Sequence, residues 1–238
     1  MNFCSSVLLS KRTVIITGNP FPILRSLRCD TVATHLITCT MKTLLYIHGF
    51  GSSGSSGTVM MLRQMLYPHG VKVIAPDLPV LPADAITLLR NLVETENPDL
   101  IIGTSMGGFY TELLRGRKRI LVNPSFKMAR LLTFKGMGRY PFLNKREDGA
   151  KDFKVDKVMI DQFKVLEKES FAKITPEERA NVYAFFGNVD KVTREFQPVF
   201  CKHYGKEHFT VFEGEHRLND AILNSVVLPL IKELLSIS

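Results

Sequence analysis

The stretch "IIGTSMGGFYTELL", Ile101 to Leu114, decides the fold. The apolar run Leu100–Gly103 reads as a buried strand, and the run from Gly107 to Arg115 reads as a helix. Between them Gly103-Thr104-Ser105-Met106-Gly107 spells G-x-S-x-G. Set between a strand and a helix, that pattern is a nucleophile elbow: a sharp turn that lifts a serine hydroxyl out at the strand's carboxyl end. Strand and helix backbones crowd at such a turn, so small residues must flank the serine, as Gly103, Gly107 and Gly108 do. The helix N-terminus then points its positive partial charge at the hydroxyl.

A serine hydroxyl needs a base, and the base needs an orienting acid. In this kind of sheet the chain order is Ser, acid, His, each following a successive strand. His216 follows the last apolar run in "FTVFEGEHR". His203 falls in a helix, His208 starts a strand on the wrong edge, and His48 precedes the serine. The acid expected after the preceding strand is Asp190, in "VYAFFGNVDKV". Glu195, Asp156 and Asp161 are weaker alternatives. The oxyanion of acyl transfer needs two aimed donors. One is the Met106 N–H, after the nucleophile. The other is assigned to Phe50, in the loop "IHGFGSSGSSG" (Ile47 to Gly57) after the first strand. His48 is expected to brace that loop. Together with Gly49, Gly51, Gly107 and Pro124, it is expected to border the substrate.

The same loop raises a rival. Gly49, Gly51 and Gly54 spell G-x-G-x-x-G, and Asp77 ends the next apolar run, as in a dinucleotide-binding unit. There the helix opens within the glycine motif. Here Ser55, Ser56 and Gly57 delay it, and Pro79 and Pro82 follow Asp77 closely. A P-loop fails because Ser55 stands where lysine is required. No paired spacing supports a metal. The expectation is therefore no cofactor and no metal.

Outward from these motifs the chain alternates strand and helix. Strands are expected at Thr43–Ile47, Val71–Ala75, Leu100–Gly103, Ile120–Asn123, Val182–Phe186 and Phe209–Phe212. Helices are expected near Val59–Tyr67, Ala83–Thr95, Gly107–Arg115, Thr193–Tyr204 and Asn219–Leu235. That order implies an α/β fold, a parallel sheet with helices on both faces. Between Pro124 and Glu178 no clear strand is read. The segment is charged, with helical pieces such as "KVMIDQFKVLEKE", and is expected to form a helical lid over the working edge (124–178). Met128, Leu131, Leu132, Phe134, Met137, Tyr140 and Phe142 would either wall the pocket or hold the lid together.

Residues 1–40 have no regular period and are broken by Pro20 and Pro22. They are expected to be an extension that is disordered or lies ahead of the true start at Met41, the alternative being an edge strand on "TVIITG". The domain is expected to span 41–238.

The 238 residues carry a formal net charge of +8, 45% hydrophobic residues and four cysteines without a C-x-x-C. No apolar run is long enough to span a bilayer. The positive charge is spread out, without a focused basic face bearing stacking aromatics, which argues against nucleic acid. A soluble protein of a reducing cytoplasm is expected, with Cys201 as a packing residue. Nothing in the sequence sets the oligomeric state.

At these residues the chain resembles the α/β-hydrolases, and more narrowly the small bacterial YqiA-like esterases (the UPF0227 type). The matching motifs are His48-Gly49-Phe50-Gly51-Ser52-Ser53, Gly103 to Gly108, Asn123-Pro124, Gly187-Asn188-Val189-Asp190 and Gly214-Glu215-His216. The resemblance runs from about Met41 to the C-terminus. It implies a three-layer α/β/α sandwich with a reduced, mainly parallel sheet of about six strands. It also implies activity on short acyl esters or thioesters, a small-molecule substrate and no membrane or nucleic-acid partner. Thr104 departs from the usual serine, Glu213 stands where glycine is common, and the insertion is longer and more basic than expected. A lactone, amide or C–C bond as target, or a non-catalytic binding role, stays open at this point.

Overall fold

The computed structural model describes residues 41–238; the expectations for residues 1–40 lie outside the described residues. Strands β1 (Lys42–Ile47), β2 (Val71–Ile74), β3 (Leu100–Thr104) and β4 (Arg119–Val122) alternate with helices α1 (Gly57–Leu66), α2 (Pro82–Glu96) and α3 (Met106–Leu113). After β4 come α4 (Met128–Lys135), a hairpin of β5 (Gly138–Pro141) and β6 (Asp152–Val155), α5 (Lys157–Glu167) and α6 (Pro176–Ala180). Then follow β7 (Val182–Gly187), α7 (Gln197–Tyr204) and β8 (Phe209–Phe212). The C-terminal helix, α8, runs through Asp220–Ile222, a π-helical turn at Leu223–Val227, and Leu228–Leu235.

Six strands form one parallel sheet in the order β2-β1-β3-β4-β7-β8. The apolar runs of the four inner strands β1, β3, β4 and β7 are buried on both faces, as a parallel sheet between helices requires. The side-chain alternation of β1 divides the core. Leu44 and Tyr46 pack with α1 and α8, while Leu45 and Ile47 pack with α2, α3 and α7. Every strand therefore delivers its carboxyl end to the same edge, where ligands bind in open α/β sheets.

The segment after β4 corrects one expectation. It holds an antiparallel hairpin where no strand was expected, with Gly138–Pro141 paired to Val155–Asp152. Each strand is four residues long, and the first ends in proline, too little for a period of two to register. Nor is the segment a loose excursion. Phe153, Val155, Met159, Phe163 and Leu166 share the core that covers α2 and α3.

What pins this segment is the serine- and glycine-rich loop after β1. Ser53 Oγ donates to the Lys145 carbonyl at 2.8 Å, and Ser55 Oγ donates to the same oxygen. Ser52 Oγ donates to Asn144 Oδ1 at 3.0 Å, and Leu143 N–H donates to the Gly51 carbonyl at 2.7 Å. Asp77 closes the clasp, one oxygen accepting from Gly54 N–H and the other from Glu147 N–H, both at 2.7 Å. Gly54 has to be glycine, because a Cβ there would lie 2.2 Å from the Ala75 carbonyl oxygen. Asp77 and the glycines, which mimic a nucleotide fingerprint, are thus a structural joint.

Asp77→Ala leaves two backbone donors without their charged acceptor, and should cost about 2–3 kcal/mol. The cost should appear as a lowered denaturation midpoint, with trypsin cutting faster after Lys145 and Arg146. An unchanged midpoint and cleavage rate would contradict this account of the joint.

Candidate active site

The turn at Ser105 is held in an uncommon backbone state, φ 55° and ψ −118°. A non-glycine residue there is strained by about 1–3 kcal/mol and persists only where its surroundings enforce it. Ser105 N–H donates to the Val122 carbonyl at 3.0 Å, and the Ser105 carbonyl accepts from Ser125 N–H at 3.0 Å. The end of β4 and the loop after it therefore grip the turn from both sides. Behind it α3 presses on β1 so tightly that a Cβ on Gly107 would fall 2.0 Å from the Ile47 carbonyl oxygen.

The strained turn brings Ser105 Oγ to 2.9 Å from His216 Nε2, and His216 Nδ1 to 2.8 Å from Asp190 Oδ2. Asp190 is 1% exposed and also accepts from Val192 N–H at 2.6 Å, from Thr193 N–H at 3.2 Å and from Thr193 Oγ1. Burial would raise its pKa, but the hydrogen bonds from His216, Thr193 and Val192 outweigh burial and hold it below the usual carboxylate range. As an ionised acceptor, Asp190 fixes the Nδ1–H tautomer of His216, so Nε2 is an acceptor facing the serine proton.

The alternatives are otherwise engaged. Asp156 caps α5 by accepting from Met159 N–H at 3.1 Å, Asp161 pairs with Lys164, and Glu195 pairs with Arg130. His203 stacks on Phe171, and His208 packs edge-on to Tyr183.

Two residues carry geometry that the sequence motifs did not specify. Ser125, 1% exposed, sets its Oγ 3.2 Å from Ser105 Oγ. Since Ser105 gives its one proton to His216, Ser125 must be the donor to Ser105. Asn123 Nδ2 donates to the carbonyls of Glu215 (3.1 Å) and His216 (2.9 Å), while its Oδ1 accepts from Gly187 N–H at 2.8 Å. It ties the end of β4 to the end of β7 and to the loop bearing His216. Its place in Asn123-Pro124 was the one sequence signal.

The opening loop runs over the serine: a Cβ on Gly49 would sit 3.3 Å from Ser105 Cβ. Neither Phe50 N–H nor Met106 N–H has an acceptor among the described residues. Met106 opens α3, where first-turn donors have no intrahelical partner. Phe50, Gly51, His48 and Met106 line a cavity of about 30 Å³, walled further by Leu78, Phe142, Phe153 and Phe163. Gly107 and Pro124 are buried behind the turn and do not line it, and Pro124 packs against Gly108. Of the apolar residues read in the insertion, Phe142 alone lines the cavity. Met128 and Leu132 are core, and Phe134 and Met137 are exposed. The two motif departures sit harmlessly: Thr104 Oγ1 pairs with Tyr46 OH at 3.0 Å, and Glu213 faces solvent. Among the described residues no cluster of His, Cys, Asp and Glu is arranged to hold a metal, and no helix is long and apolar enough to cross a membrane.

His48 is 3% exposed, and its ring joins two loops. Nδ1 donates to the Gly49 carbonyl at 2.9 Å, and Nε2 accepts from Leu78 N–H at 3.3 Å. The bond from Leu78 N–H requires the neutral ring, because a protonated Nε2 cannot accept, and burial lowers its pKa below 6.5 despite the Gly49 carbonyl.

A model of the uncharacterised protein family UPF0227 matches residues 43–204. Among solved structures the chain is similar to Est1E from Butyrivibrio proteoclasticus, at TM-score 0.55 and 16% identity, over 82% of this chain and 88% of that one. It is similar to the esterase domain of a Rhodothermus marinus protein at TM-score 0.54 and 18% identity, over 85% and 90%. It is also similar to alpha/beta hydrolase domain-containing protein 10 from mouse at TM-score 0.55 and 13% identity, over 82% and 91%. At these identities the likeness shows a shared α/β-hydrolase fold.

The His48 ring gives a pH prediction. Its folded pKa lies below its unfolded one, so as pH falls through about 6.5 the unfolded chain binds the proton first and stability is lost. Denaturation at pH 7.5 and 5.5 should show a slope of at most about 1.4 kcal/mol per pH unit from this group, absent in His48→Gln. Equal slopes in the two proteins would contradict the neutral-ring assignment.

Proposed function

The chain belongs to UPF0227, and we propose that it is a serine hydrolase cleaving short acyl esters or thioesters through an acyl-enzyme. The observation that carries this is the unbroken line from Asp190 through His216 to Ser105, 2.8 and 2.9 Å per step. Esterase neighbours such as Est1E support it at the level of fold.

Ser105 Oγ attacks the acyl carbonyl carbon while its proton passes to His216 Nε2. The carbonyl oxygen gains the charge and is met by the Phe50 and Met106 N–H groups, which have no acceptor among the described residues. His216, now an imidazolium, is stabilised by ionised Asp190 and returns the proton to the leaving alcohol or thiol. The C–O or C–S bond breaks, leaving the acyl group on Ser105. A water then attacks the ester, gives its proton to His216, and releases the carboxylic acid with Ser105 restored. Asn123 keeps the His216 loop in place through both halves. The Ser125 hydroxyl donates to the nucleophile's oxygen, leaving its proton aimed at His216.

These roles separate in kinetics on p-nitrophenyl acetate and butanoate. Ser105→Ala should lose turnover by about 10⁴-fold or more, and Asp190→Asn by about 10⁴-fold, since the wrong tautomer is then held. Ser125→Ala keeps the backbone bond to Ser105 and should lower kcat by about tenfold with KM little changed. Full activity in Ser105→Ala would remove the proposal. Full activity in Ser125→Ala would remove only its part.

A further inference from the structure

The cavity beside Phe50 and Met106 is apolar over most of its wall, yet besides His48, whose ring is engaged by Gly49 and Leu78, two buried polar side chains line it. Tyr110, on the second turn of α3, is 1% exposed. Its hydroxyl has no hydrogen-bond partner among the described residues, and burial alone sets the upward shift of its pKa. The hydroxyl oxygen is not one of the fully enclosed unpaired polar atoms, so it opens onto the cavity that Tyr110 lines, where an acceptor can meet it. Arg146 is the second. Its guanidinium lies 4.5 Å from the centre of the Phe142 ring. Nε and one terminal nitrogen donate to Asp148, at 3.1 and 2.9 Å, and the other terminal nitrogen donates to the Leu78 carbonyl at 3.2 Å. Of the five guanidinium N–H groups, two are left without an acceptor among the described residues.

The side of the substrate that enters follows from the proton path. The leaving oxygen must lie beside His216, which returns the proton to it. Neither His216 nor Ser105 is on this cavity's wall, whereas Phe50 and Met106, the residues proposed to hold the carbonyl oxygen, are, which puts the cavity beyond the oxygen and away from the histidine. The cavity therefore lies on the acyl side. This step rests on the serine-hydrolase proposal above. A volume of about 30 Å³ is that of two or three water-sized probes, room for about three to five heavy atoms beyond the carbonyl carbon.

We infer that the site selects a short acyl chain carrying an oxygen acceptor at its far end, bound by the Tyr110 hydroxyl and the spare N–H groups of Arg146. A terminal carboxylate and a terminal ketone both present that oxygen. A plain alkyl chain of equal length leaves these donors buried and unpaired, and is rejected for that reason.

The test measures kcat/KM by pH-stat for methyl pentanoate, monomethyl succinate and methyl 4-oxopentanoate, with wild type and Tyr110→Phe. In wild type at least one oxygen-bearing ester should exceed methyl pentanoate by about tenfold, the size expected of one buried hydrogen bond. In Tyr110→Phe that ratio should fall close to one, and Tm should not drop, since the hydroxyl makes no bond in the free protein. Methyl pentanoate favoured in wild type, an unchanged ratio in Tyr110→Phe, or a lowered Tm would each overturn the inference. Hydrolysis without preference removes the inference alone. A wild type that cleaves none of the three esters, nor any p-nitrophenyl ester, removes the hydrolase proposal and the inference with it.

Discussion

The geometry of the site hangs on the backbone at Ser105. At φ 55° and ψ −118° the residue cannot continue strand β3 or join helix α3, so its side chain is thrown clear of both. The strain is tolerated because three neighbours leave no relaxed alternative. Val122 at the end of β4 and Ser125 in the loop after it hold its N–H and carbonyl. Gly107 lets α3 press against the Ile47 carbonyl. Any residue with a Cβ at that helix position would push α3 off the sheet and release the turn. The fold is in this sense built to hold one hydroxyl where His216 can reach it.

The second half of the site is made by long-range closure. The loop after β1 supplies the backbone that passes over Ser105, and its serines and Asp77 clasp residues 143–147 of the insertion. One joint thus positions both the Phe50 amide and the wall formed by Phe142, Arg146 and Phe153. His48 adds a cross-brace to Leu78. The small cavity that results is bounded by elements far apart in sequence, which is why its shape and its polar contacts belong to the tertiary structure.

Much of the sheet was legible in advance, because buried parallel strands are short apolar runs with sharp polar ends, and six of these were found in order. The Ser105 elbow was legible because strand, glycines and helix all occur within one continuous stretch. The hairpin of Gly138–Pro141 and Asp152–Val155 was not, since four-residue strands lean on pairing across an intervening loop rather than on pattern. "SSGSSG" had no evident purpose in isolation, because its partners lie some ninety residues later. Ser125, Tyr110 and Arg146 escaped for a common reason, each acting by which atoms it faces or leaves unpaired, and Asn123 was legible only as part of the Asn123-Pro124 motif.

The central claim is that Ser105 is an activated nucleophile. It is tested most directly by treating the native protein with a fluorophosphonate probe and locating the adduct by peptide mass spectrometry. The account predicts a single adduct on Ser105, lost when the protein is unfolded first. No adduct on the native protein, or one on Ser125 with Ser105 unmodified, would contradict it.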